Sequence, residues 1–380
     1  KTKMGPMIKP PSGDLETALK ELEPGESWAV MPRPHPKNGN IYTPGVKWGV
    51  QPGSFTHKTE FFGPVLGVMK AANIHEAIQF VNATGFGLTS GIESLDIREC
   101  EIWRDSIRAG NLYINRGTTG AIVLRQPFGG MGKSAVGPGI KAGGPNYVAQ
   151  LMNFTEDVSA LPTSGEIADD GVGLLVKSLA GCSMLDDSQQ SAMKAAALNY
   201  AKYQREEFGK EHDHFRLVGQ DNFRRYLPVR EIRIRVHAAD SPFEIFSRIC
   251  AAKTVGSRIT VSVPDDLGKE STASRFVDWI DSATDAWAAA IEFVVESDRE
   301  LADAIRSGNT LRVRYASADR VPTTIREAAA KVGLYIADTP VMASGRLELL
   351  WYVEEQSISD NYHRYGNLGE RASEERAPVA

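Results

Sequence analysis

The chain is short of cysteine, of long apolar runs and of net positive charge, and each shortage removes a class of function. Its 3 cysteines among 380 residues, Cys100, Cys182 and Cys250, are odd in number, far apart and without a CxxC spacing. That argues against a disulfide framework or a zinc site and fits a reducing compartment, so a cytoplasmic location is expected. The longest apolar stretch, "AWAAAIEFVV", is too short to span a bilayer and carries a glutamate. No basic-then-apolar segment of the secretory kind opens the chain. A formal net charge of -5 gives no general attraction to a phosphate backbone, so nucleic acid is not an expected partner. An initiator Met is also missing: the opening "KTKMGPMIKP" predicts that the sequence is a piece of something longer.

What is present has the balance of a soluble globular protein, 42% hydrophobic and 24% charged, with length for two or three domains. Residues 1–154 read as mixed α/β. "IHEAIQFV" sets Ile74, Ala77, Ile78 and Val81 on one helical face, and "IRECEIWRDSIRAG" gives a second helix with Gly110 as its expected C-cap. "NLYIN" reads as a strand, and "GGPNYVAQLMNF" as an apolar-polar strand that closes the domain. Residues 155–225 read as a polar linker and an arm. In the arm, "QQSAMKAAALNYAKYQREEFGKEHDHF" predicts a long, largely exposed helix. On such a helix His212 and His214 point to different faces, which speaks against a metal site.

From 226 to 352 alternating strands ("EIRIRV", "RITVSV", "IEFVV", "TLRVRYA", "GLYIA") are separated by single helices. That rhythm predicts βαβ crossovers and a mostly parallel, Rossmann-like sheet. No GxGxxG follows its first strand, where "RVHAADSPFE" stands instead. Residues 353–380 form a terminal motif and a tail, "ERASEERAPVA", expected to fray.

One stretch, "RQPFGGMGKS", resembles a phosphate loop because Gly132 is followed by Lys133 and Ser134. The GxxxxGK[ST] pattern needs its first glycine where this chain has Pro127. Proline offers no N–H and fixes φ, so it cannot join a backbone cradle. The glycines therefore shape something other than a nucleotide site.

Taken in order, "KTEFFGPVLGVMKA", "NATGFGLTSGIES" and "GNLYINRGTTGAIVLRQPFGGMGKSAVG" resemble the carboxyl-terminal half of the aldehyde dehydrogenase catalytic domain over Gly5–Phe154. "INRGTTGAIVLRQPFGG" looks most like the branch that oxidises L-glutamate γ-semialdehyde (pyrroline-5-carboxylate) with NAD. The resemblance assigns the substrate carboxylate to backbone amides at Gly120 and Ala121, and an aromatic wall of the aldehyde site to Phe128. It assigns the nicotinamide-ribose hydroxyls to Glu60 of the E-x-F-G-P motif, and the side of the nicotinamide to Phe62. Successive amides in a loop such as "TTGA" are a chemically apt grip for an acid.

The family's nucleophilic cysteine and general base precede that motif, so no catalytic residue is expected here. Burial is the default for two of these thiols, Cys100 and Cys250, and inertness is expected of all three. "YHRYGNLGER", with "GQDNFRRYLP" upstream, is similar to the end of long proline utilization A proteins, which join an FAD-dependent proline dehydrogenase to this dehydrogenase. On that likeness the second domain is a degenerate, non-catalytic relative of the cofactor domain that helps enclose a passage between active sites. His363, Arg364 and Tyr365 would then anchor the tail, or else form a local cap. The expected partners are glutamate semialdehyde and the upstream part of the same polypeptide, with a homo-oligomer left open. The alternative reading is a non-catalytic lid or oligomerisation module.

Overall fold

A computed structural model describes residues 4–123, 125–156, 161–162, 164–287 and 290–378. The chain divides into two compact units, Lys1–Phe86 with Ser94–Arg108, and Gly87–Glu93 with Ala109–Ala380.

The first unit holds a three-stranded sheet of β1 (Ser27–Val30), β2 (Gly45–Trp48) and β3 (Val65–Val68), with β2 central. Helix α1 (Ile74–Ala83) is capped by the Asn73 side chain and α2 (Ile97–Ser106) by Asp96, both typical N-cap residues. Cys100 and Trp103 of α2 are buried. The helix ends earlier than the glycine pattern suggests, because Ile107 turns extended at its C-cap. Gly110 serves a different need: a Cβ there would overlap the Gly129 carbonyl oxygen and the Lys141 ammonium.

The second unit contains two sheets. One has four strands: β4 (Thr89–Ile92), β5 (Asn111–Ile114), β6 (Gln220–Pro228) and, from near the end of the chain, β12 (Val353–Asn361). Its order is β6-β12-β5-β4. β12 runs antiparallel to β6 and parallel to β5, with Leu112 opposite Ile358.

The other sheet comprises β7 (Glu231–Arg235), β8 (Arg258–Pro264), β9 (Ile291–Glu296), β10 (Val313–Arg314) and β11 (Ile336–Ala337). All of its pairings are parallel and the order is β9-β8-β7-β10-β11. That is the doubly wound arrangement which strands alternating with helices predict. β7 is central, so Ile232 and Ile234 are fully buried, and so is Arg235 on the polar face. Arg235 donates to Ser262 Oγ (2.9 Å), the Glu296 carbonyl (2.9 Å) and Asp298 (2.7 Å). The fold is thus mixed α/β with a parallel sheet, as the sequence implies.

Three details depart from the sequence reading. Residues Tyr147–Leu151 form a 3-10 turn rather than a strand, after a break at Gly143 (φ 76°) and Pro145. The Ala-rich helix is α4 (Asp187–Tyr203), continued by a π turn over Gln204–Phe208. It is not an exposed arm, since Met193, Ala196, Ala197 and Tyr200 are fully buried in the core it shares with α5 (Pro242–Val255). Small alanines let the two helices approach closely. The polar segment 155–171, read as a linker, lies partly outside the described residues, and its described part has no regular element until α3 (Asp170–Ser178) begins.

The terminal tail does not fray over its described residues. Gly369–Ser373 forms a 3-10 turn, and Arg371 (2.8 Å) and Arg376 both pair with the buried carboxylate of Asp221. Arg371 also lies over the Tyr362 ring, 3.7 Å from its centroid. The sequence does not reveal Asp221 as the acid that holds these arginines. Among the described residues no helix is long and apolar enough to cross a membrane.

Candidate functional site

Strand β5 is buried along its whole length and delivers the chain to an exposed turn. Asn115 bends it at φ 55°, and Thr118, Thr119 and Gly120 then face solvent. Gly120 adopts φ 83°, a left-handed conformation that side chains disfavour, and nothing stands within 4 Å of where its Cβ would be. Among the described residues the amides of Gly120 and Ala121 have no hydrogen-bond acceptor. The turn is fixed at both ends. Arg116 donates to Ser359 Oγ of β12 (2.5 Å) and lies over the Tyr113 ring, while the Ile122 carbonyl accepts from the amides of Arg125 (3.1 Å) and Gln126 (3.0 Å).

Phe128 follows, with its side chain partly exposed and its backbone locked to Ala142 by reciprocal bonds of 2.9 and 3.0 Å. Behind it the Lys141 ammonium, wholly buried, donates to the carbonyls of Gly129 (2.5 Å) and Gly130 (2.9 Å). Burial pulls this amine down to about 8, against the pull of Glu355 and Glu354. The Lys141 amide donates to Glu355 (2.8 Å), and the Asn146 amide group donates to Glu355 (2.5 Å) and to the Tyr226 hydroxyl (2.8 Å). Burial raises the Glu355 carboxyl, while these hydrogen bonds and Arg224 oppose the rise. Arg346 completes the network at Asn146 Oδ1 (2.5 Å). Residues after 200 thus brace the loop that carries Phe128. Neither Lys141 nor Glu355 stands out in sequence, because the two lie far apart along the chain and follow no common period.

Glu60 and Phe62 belong to the first unit, on the loop ahead of β3. Glu60 is exposed and has no partner among the described residues. Phe62 has φ 52° and is 90% exposed, so the backbone holds its ring out into solvent at some conformational cost. Met4, Met7, Tyr42 and Pro64 join it around an open, mainly apolar hollow.

All three cysteines are buried, and burial pushes the Cys250 thiol up to about 12, which makes it a poor nucleophile. Among the described residues no group of three or more His, Cys, Asp or Glu could hold a metal ion. His212 and His214 are not on a helix, because the π turn stops at Gly209. His212 forms an antiparallel bridge to Arg224, His214 follows at a bend, and their rings stack at 6.1 Å and 17°. His363 packs over Gly219, and Tyr365 tips a tight turn closed by reciprocal Arg364–Asn367 bonds.

Residues 1–156 match the aldehyde dehydrogenase family. The 1-pyrroline-5-carboxylate dehydrogenase of Geobacillus sp. (strain WCH70) is 42% identical over 114 residues, 30% of this chain and 22% of that enzyme. Its counterpart from Bacillus cytotoxicus is 47% identical over 95 residues, 25% of this chain and 18% of that enzyme. The solved structure of Proline Utilization A from Corynebacterium freiburgense covers 96% of this chain with TM-score 0.74 and 35% identity. The chain spans 32% of that protein's length. It therefore carries an aldehyde dehydrogenase family domain and is similar, along almost all of its length, to proline utilization A.

Proposed function

We propose that an aldehyde dehydrogenase family domain in this setting serves NAD-dependent oxidation of L-glutamate γ-semialdehyde to glutamate. In this reading the chain is the carboxyl-terminal part of a bifunctional proline dehydrogenase/aldehyde dehydrogenase. Residues 1–154 supply the back wall of the aldehyde site, and residues 226–352 form a non-catalytic Rossmann-like domain. The thiol, the general base and the FAD-dependent activity come from the rest of that polypeptide.

The observation that carries the reading is the pair of unanswered amides at Gly120 and Ala121, in a turn with open space beside it. An anionic carboxylate is the natural acceptor for such a pair. Phe128 would flank the substrate's methylenes, its position set by the Ala142 bridge and by Lys141 behind it. Glu60 offers a free carboxylate to ribose hydroxyls and Phe62 a free aromatic face, so both fit a nicotinamide dinucleotide. When bound, that cofactor accepts the hydride from the aldehyde carbon. These residues bind and orient; none of them moves a proton.

The test compares two aldehydes in the whole polypeptide. Ala121→Pro removes one amide donor and leaves Gly120 free to keep its left-handed φ. The variant should lower kcat/KM for the semialdehyde by about tenfold or more, yet change it little for an uncharged aldehyde of equal length. Equal effects on both would refute the carboxylate grip. Steady NADH production by the 380-residue chain alone would refute its status as a part. The second reading, a lid or oligomerisation module, draws on β12, which covers the edge of β5. It predicts that Ala121→Pro leaves turnover unchanged.

A further inference from the structure

A separate cavity of about 350 Å³ gathers two arginines and two histidines, with no acid among its lining residues. Arg125, His212, His214 and Arg224 line it, and Pro127 and Phe215 give it an apolar side. Two acids stand close by and both are engaged: Glu207 with Arg224 (3.1 Å), the Tyr226 hydroxyl (2.5 Å) and His212 (3.4 Å), and Asp213 with the backbone amides of Phe215 (3.2 Å), Arg216 (2.9 Å) and Asn222 (3.3 Å). Among the described residues the Arg125 guanidinium has no partner, and His214 makes only its ring stack on His212. Arg224 is 4% exposed, and its Nε is left without a hydrogen-bond acceptor. A buried guanidinium with an idle donor, beside a free one and two stacked imidazoles, lacks an anion to complete it.

We infer that this cavity is a second binding site for a small aliphatic carboxylate of amino-acid size. Planar guanidinium forks suit a carboxylate, and Pro127 and Phe215 give methylene groups an apolar side to lie against. The volume is at the small end of the range for small-molecule sites. Arg125 and Pro127 lie between the turn at Gly120 and Phe128 in the chain. The choice of glutamate as the ligand rests on the proposed reaction; the presence of a carboxylate site does not.

The test titrates the purified chain with L-glutamate, up to about 50 mM because a small exposed anion site binds weakly. The imidazole C–H resonances of His212 and His214 are followed by NMR. Saturable shifts of both rings are expected, absent with butyramide and weaker with inorganic phosphate. Arg125→Gln should weaken binding by about tenfold, as loss of a charge-assisted bond does, and His214→Asn, separately, by about threefold, as loss of an ordinary hydrogen bond does. Ala121→Pro should leave it unchanged, so this site and the semialdehyde grip fail separately. No saturable shift, wild-type binding by both variants, or tighter binding of phosphate than of glutamate would overturn the assignment. Loss of binding in Ala121→Pro would do so too.

Discussion

Lys141 is the sharpest place to perturb this chain, because its burial and its hydrogen bonds pull in opposite directions. Replacing it with Met keeps the length of the stem and removes the ammonium that holds the Gly129 and Gly130 carbonyls. Two hydrogen bonds from a charged donor are worth about 1.5–3 kcal/mol each. Against that, lowering the amine from 10.5 to about 8 means that burial costs the charged form about 3 kcal/mol. Near pH 7 the variant should therefore be less stable by about 0–3 kcal/mol. The pH dependence is the stronger test. A base whose folded pKa is depressed binds fewer protons folded than unfolded between about 8 and 10.5, so its contribution to stability rises with pH across that window. The neutral amine still donates to both carbonyls while the desolvation cost is gone. Urea unfolding of both proteins should show the wild-type advantage growing by about 3 kcal/mol from pH 7.5 to pH 10.5. An advantage that stays flat, or shrinks as pH rises, would refute the assignment of the cost to this ammonium.

Two further outcomes follow from buried charge. Arg314 and Glu348 pair at 2.8 Å with neither side chain exposed, so Arg314→Met alone should cost about 3–5 kcal/mol by leaving an uncompensated carboxylate. Adding Glu348→Leu should recover most of it in urea unfolding, and a double variant as weak as the single would contradict this. Asp221→Asn should free Arg371 and Arg376, seen as faster tryptic cleavage of the tail; unchanged cleavage would show that other contacts hold it.

The parallel sheet of the second unit was legible because short strands, several of them alternating, recur between single helices, a local signal that chain order converts into topology. The packing of α4 was legible too, but outweighed by composition. Met193, Ala196, Ala197 and Tyr200 repeat at i, i+3, i+4 and i+7, the mark of a buried stripe, yet the many Ala, Lys and Gln suggested exposure. The His212–His214 stack depended on where the helix stops, which Gly209 signals only weakly. In the candidate site, the turn at Gly120 and the ring of Phe128 could be named from their motif. Their support could not, because Lys141, Asn146 and Glu355 meet only once distant strands have paired.

The place of β12 bears on how such a protein is made. β5 emerges from the ribosome well before Ser357–Asp360, the strand that lies beside it. In that interval the earlier strand has a vacant hydrogen-bonding side, open to neighbouring nascent chains. Closing so long a loop is entropically costly and slow, which makes the arrival of β12 the step that commits the sheet. A stop anywhere before Val353 should leave a product that is rescued by supplying the missing strand in trans, or that precipitates.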